Sequence, residues 1–146
     1  MKQRILVTVI LISAMAMAAC GGRETVTITP TRHETTGPTF NRITTSSKGF
    51  SRDCVPTSVT VTSTITDPSG VTRAVLWYRV GSDQPYTQVE MDSLGENNYS
   101  ANVKALDLQV GKYGVWEFYI AAEDALGNLS QSPLDTSVEL LACVGN

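Results

Sequence analysis

Val115 to Asn128 reads VWEFYIAAEDALGN, and no other stretch constrains the fold of this chain as tightly. Trp116, Phe118, Ile120 and Ala122 fall on one side of an extended backbone, and Glu117, Tyr119, Ala121 and Glu123 on the other. A period of two is the mark of a strand with one buried face. The strand stops at Asp124-Ala125-Leu126-Gly127-Asn128, where Asp, Gly and Asn favour a tight reversal. It is expected to be the central strand of an all-β sandwich, with the other strands laid around it.

The rest of the chain from Pro38 supplies those strands, each bounded by turn residues. Thr39 to Thr45 is expected first, followed by a connection from Lys48 to Thr57 that contains Gly49, Cys54 and Pro56. Ser58 to Thr66 alternates most cleanly, with Val59, Val61 and Ile65 facing in and threonines facing out. Asp67-Pro68-Ser69-Gly70 is a turn, and Thr72 to Val80 the next strand. A loop over Gly81 to Pro85 leads to a short strand at Tyr86 to Met91, and Asp92 to Asn97 turns the chain. Asn98 to Lys104 alternates again, Leu106 to Gly114 crosses over, and Leu134 to Cys143 closes the domain. No segment of the domain has helical spacing. Seven short antiparallel strands in about a hundred residues predict an immunoglobulin-like sandwich over 38–146.

The order of motifs adds a resemblance. DPSGV leading into LWYRV, then FYIAAEDALGN, is similar to the fibronectin type III or immunoglobulin-like domains of bacterial secreted proteins. The resemblance covers roughly Pro56 to Val138. It implies one sheet of the first, second and fifth strands and another of the third, fourth, sixth and seventh.

Ahead of the domain stands a leader. Lys2 and Arg4 precede the apolar run Ile5 to Met17, which at 1.5 Å per helical residue reaches only ~20 Å, short for a ~30 Å membrane core. That layout is a secretion signal over residues 1–19. Met17-Ala18-Ala19-Cys20-Gly21 resembles the lipobox of bacterial lipoproteins, with Met where the family usually has Leu. The resemblance implies cleavage before Cys20, acyl chains on that residue, and a membrane partner held through lipid. Gly21 stands where Asp would retain the protein at the inner membrane, so in a two-membrane bacterium the outer membrane or cell surface is implied. An ordinary signal cleaved after Ala19, with Cys20 incidental, is the competing reading. Residues 20–37, rich in Thr and poor in large apolar side chains, are expected to form a flexible tether in which His33 is solvated.

Three cysteines leave two besides Cys20. Export places Cys54 and Cys143 in an oxidising compartment, and the expected topology brings the first connection and the last strand to one end of the sandwich. A disulfide between them is expected.

Composition and motifs narrow the function. A formal charge of −3, more negative once Lys2 and Arg4 leave with the signal, excludes nucleic acid as the expected partner. The single His lies outside the domain, so Ser-His-Asp and Cys-His sets are not available within it, and no phosphate loop, dinucleotide turn or zinc spacing is present. No cofactor is expected and the chain reads as non-catalytic. Two constellations remain. Asp67, Glu123 and Asp124, from two loops at one end, offer carboxylates of the kind that hold Ca²⁺; the competing reading is that Asp67 and Asp124 accept hydrogen bonds from their own turns. Trp77, Arg79, Glu117 and Tyr119 form an exposed binding face if Leu76 and Tyr78 point inward, and a protein or a glycan of the envelope would be its ligand. Alternation leaves open the reverse parity, with Val75 and Trp77 in the core.

Overall fold

The computed structural model describes residues 34–108 and 113–143. The signal, Cys20, His33 and most of the tether lie outside these residues. Among the described residues the chain forms ten strands, one 3-10 helix and no α-helix.

The strands make two sheets packed face to face. One has the order β1-β3-β7-β6, comprising β1 (Thr39–Thr45), β3 (Ser58–Thr66), β7 (Asn98–Lys104) and β6 (Asp92–Gly95). The other runs β2-β10-β8-β4-β5, comprising β2 (Gly49–Ser51), β10 (Asp135–Leu141), β8 (Gly114–Asp124), β4 (Val71–Val80) and β5 (Thr87–Glu90). A short β9 (Leu129–Gln131) pairs with the far half of β8, beyond β10.

Alternation in β8 and β3 sets the core. Trp116, Phe118 and Ile120 of β8 and Val59, Val61 and Ile65 of β3 are each fully buried. The Trp116 ring packs against Phe118 at 4.8 Å and edge-on to Phe50 at 5.7 Å. Each large apolar side chain buried this way contributes ~1.5–3 kcal/mol. In β4 the residues facing this core are Ala74, Leu76, Tyr78 and Val80. Trp77 therefore lies on the opposite, outer face.

Four details differ from the expectation, each for a physical reason. Among the described residues there are ten strands, not seven. The Lys48–Thr57 connection contains β2, a three-residue strand whose Phe50 is 1 % exposed; Gly49 and Pro56 hide it in the sequence because they read as punctuation. β2 pairs with β10 in parallel, so the fold is not wholly antiparallel. The Asp92–Asn97 turn is tighter than expected. Its first residues form the exposed edge strand β6, and the reversal is made by Gly95, Glu96 and Asn97, all at positive φ.

The segment 34–37, expected in the tether, packs on the domain. Asn128 Nδ2 donates to the Glu34 carbonyl at 3.3 Å. A Cβ on Gly37 would lie 2.6 Å from Ser130 Oγ, so only glycine lets the chain pass β9 this closely.

At the other end of the sandwich Cys54 and Cys143 are joined by a disulfide. It closes a loop across a sequence separation of 89, worth up to about 4–5 kcal/mol by loop-closure entropy.

Candidate functional site

The outer face of the larger sheet is built on the pairing of its two longest strands. Register places Trp77 opposite Tyr119 and Arg79 opposite Glu117. The Trp77 and Tyr119 rings are nearly parallel, 8° apart with centroids separated by 6.2 Å, an offset stack across the strands. Tyr86 meets Tyr119 edge-on at 5.1 Å, so three aromatic rings form a continuous row. Arg79 then closes one end of the row, its guanidinium carbon 4.4 Å from the Tyr86 ring centroid.

Hydrogen bonds hold that guanidinium in place. Arg79 Nε donates to Glu117 Oε2 at 2.6 Å, and NH1 to the Ser82 carbonyl at 3.1 Å. The two charged side chains are only 21 % and 13 % exposed, so solvent screens this pair less than an open surface pair. At the other end of the face Arg73 pairs with Glu90, holding the Arg73 guanidinium pKa above and the Glu90 carboxyl pKa below the ordinary value. Both of these side chains stand in water, so the pair orients the strand edge more than it stabilises it. Val75, the cross-strand neighbour of Glu90, is on this outer face yet 5 % exposed.

The four residues expected at a binding face therefore share one surface. Tyr86 and Val75 belong to it as well and were not singled out from the sequence. Tyr86 follows Pro85 at a loop boundary, where alternation carries no information about direction.

The acidic end is arranged differently from the expected trio. The carboxylates that approach one another within 4.8 Å are Glu34, Asp67 and Asp124. Glu123 is not among them: it sits on the outer face opposite Arg73, one residue before Asp124 and on the other side of the strand. Asp124 Oδ1 accepts from the Leu126 and Asn128 amides at 2.8 and 2.7 Å, and Oδ2 from Asn128 Nδ2 at 2.7 Å. Burial on its own would raise the Asp124 pKa, but the Asn128 side chain, the Asn128 and Leu126 amides and Ser69 together lower it. Asp67 Oδ1 accepts from the Ser69 amide and hydroxyl at 2.8 and 2.6 Å. Ala125 N then donates to the Gly70 carbonyl at 2.9 Å, tying the two turns to each other. These carboxylates carry out the work of two adjoining turns.

Comparison with protein-family models and with curated protein sequences returned no match to this chain.

Proposed function

We propose that this chain is an exported bacterial lipoprotein, anchored through Cys20, whose sandwich is a non-catalytic binding module of the immunoglobulin or fibronectin type III kind. The leader and the lipobox-like Met17–Gly21 support export and anchoring. A disulfide between Cys54 and Cys143 suits an oxidising compartment. The grouping of β1, β3 and β7 in one sheet and of β5, β4, β8 and β10 in the other supports this reading.

The observation that carries the binding role is the outer face. Its rings are aligned and its Arg79–Glu117 pair is fixed, so a partner meets a surface already ordered, and little conformational entropy is lost on contact. Aromatic side chains and arginine are the groups that anchor protein interfaces. The partner is an envelope protein, for which the module acts as a docking or accessory subunit. Affinity capture from solubilised membranes should recover one protein in stoichiometric amount with the wild type and lose it with Trp77→Ala. Equal recovery by both would overturn the role of the face.

The aligned Trp77 and Tyr119 rings favour a second reading, recognition of carbohydrate by stacking. A hit on a glycan array that disappears with Tyr119→Ala would select it over the protein partner.

A further inference from the structure

The two halves of the Cys54–Cys143 bridge stand in unlike surroundings. Cys54 lies in the loop that leaves β2, closed at its base where the Ser51 amide donates to the Pro56 carbonyl at 2.9 Å. Asp53 to Thr57 are exposed without a break, Val55 at 88 %. Arg52 pins the start of this loop to the domain, donating from Nε to the Ala105 carbonyl at 3.3 Å and from NH2 to the Leu108 carbonyl at 2.5 Å. Cys54 is thus carried on a short, anchored and open loop.

Cys143 follows β10 by two residues and is half-buried. The parallel pairing of β2 with β10 sets Leu141 opposite Ser51, which keeps Ser51 beside the end of β10 whether or not the bridge is closed. Ser51 is 2 % exposed, and its Oγ lies 3.0 Å from Cys143 Sγ. A bridged sulfur carries no proton, so the hydroxyl donates and the sulfur accepts. The Asp53 amide donates to the same Oγ at 3.4 Å, which leaves the hydroxyl proton for the sulfur. Among the described residues the Cys54 sulfur accepts no hydrogen bond.

This asymmetry has a chemical consequence. Thiol–disulfide exchange is attack by a thiolate on one sulfur with expulsion of the other, and its rate depends on access to the first and on how well the second carries charge. Hydrogen-bond donation favours a thiolate, and here only Cys143 receives it. We infer that the bridge is a modification site for thiols, which add at Cys54 while Cys143 is the leaving group. The incoming thiolate forms a bond to Cys54 Sγ and the Cys54–Cys143 bond breaks. The electron pair stays on Cys143 Sγ, where the Ser51 hydroxyl stabilises it. One thiol is thereby oxidised to a mixed disulfide as Cys143 is reduced. The site lies on neither the outer aromatic face nor the acidic end, and it needs neither the anchor nor a protein partner.

The test uses the folded full chain with Cys20→Ser, in which the bridge holds both remaining cysteines. The chain is treated briefly with 2-mercaptoethanol, quenched in acid with N-ethylmaleimide, and mapped by mass spectrometry. The mixed disulfide should sit on Cys54 and the maleimide on Cys143, in at least tenfold excess over the reverse pattern. Equal partition, or the adduct on Cys143, overturns the proposal. So does a bridge that opens only as fast as the whole domain unfolds. Ser51→Ala removes the donor and should slow opening of the bridge about fivefold. A side chain that merely shielded the bridge would give faster opening when truncated, so an equal or faster rate in this variant refutes the role of Ser51. The partition is read on unaltered Ser51, so it decides the site even if Ser51→Ala fails to fold.

Discussion

The two tryptophans show how position along one alternating pattern decides what a side chain does. Trp116 is fully buried against Phe50, Phe118 and Tyr78, and its Nε1 meets no hydrogen-bond partner among the described residues, so it contributes through packing. Trp116→Ala should cost ~3–5 kcal/mol in denaturant unfolding, whereas Trp77→Ala, which loses an outer-face ring stack, should cost only ~1 kcal/mol. A Trp77→Ala loss as large as that of Trp116→Ala would show that the outer row is core. Asp124 makes the corresponding point for charge. Its carboxyl pKa is lowered in the folded chain, so the ionised form is bound more tightly there than in the unfolded chain. The stability this gives is present above the unfolded value near pH 4 and is lost as the pH falls through the lower folded value. Thermal melts should therefore show an acid slope below about pH 4 that is shallower in Asp124→Asn. That variant should also melt lower at neutral pH, because an amide NH₂ then faces N–H donors.

At the scale of elements, legibility followed burial. Strands β3, β7 and β8 could be read because each buries one face only, and alternation then survives in the sequence. β2 could not, since three residues are too few for a period and Phe50 alone carries its contribution. β6 was hidden for the opposite reason: all four residues are exposed, so no apolar pattern marks it. The binding face was half legible. Trp77, Arg79, Glu117 and Tyr119 follow from alternation once β4 is given a parity, but that parity depends on the core across the sheet. The Glu34 contribution to the acidic end arises from a contact with residues far along the chain, which no local pattern records. The small strand should matter more than its length suggests. Phe50→Ala should cost ~3–5 kcal/mol, and replacing Cys54 and Cys143 by Ser up to about 4–5 kcal/mol. Reductant should move the wild type toward the double variant in the same unfolding assay and leave the variant where it is.

At the scale of the molecule, the sandwich has two unlike ends. Glu34 meets the turn that follows β8 and Gly37 passes β9, while the disulfide lies at the end where β8 begins, a strand of 11 residues or ~35 Å away. Under the proposed anchoring, Cys20→Ser should release the protein from the membrane fraction; unchanged retention would refute the lipid. The disulfide also has a mechanical meaning. Everything between Cys54 and Cys143 is a covalent ring, and among the described residues β1 and β2 are the strands outside it. Tension applied between residue 34 and the C-terminal side of Cys143 can peel those two strands, then meets the bridge. The length released from residues 34–53 is at most ~70 Å at full extension, and the remaining eight strands are shielded from the load. A single-molecule pull would record one short rip, and reduction of the bridge would convert it into a long one.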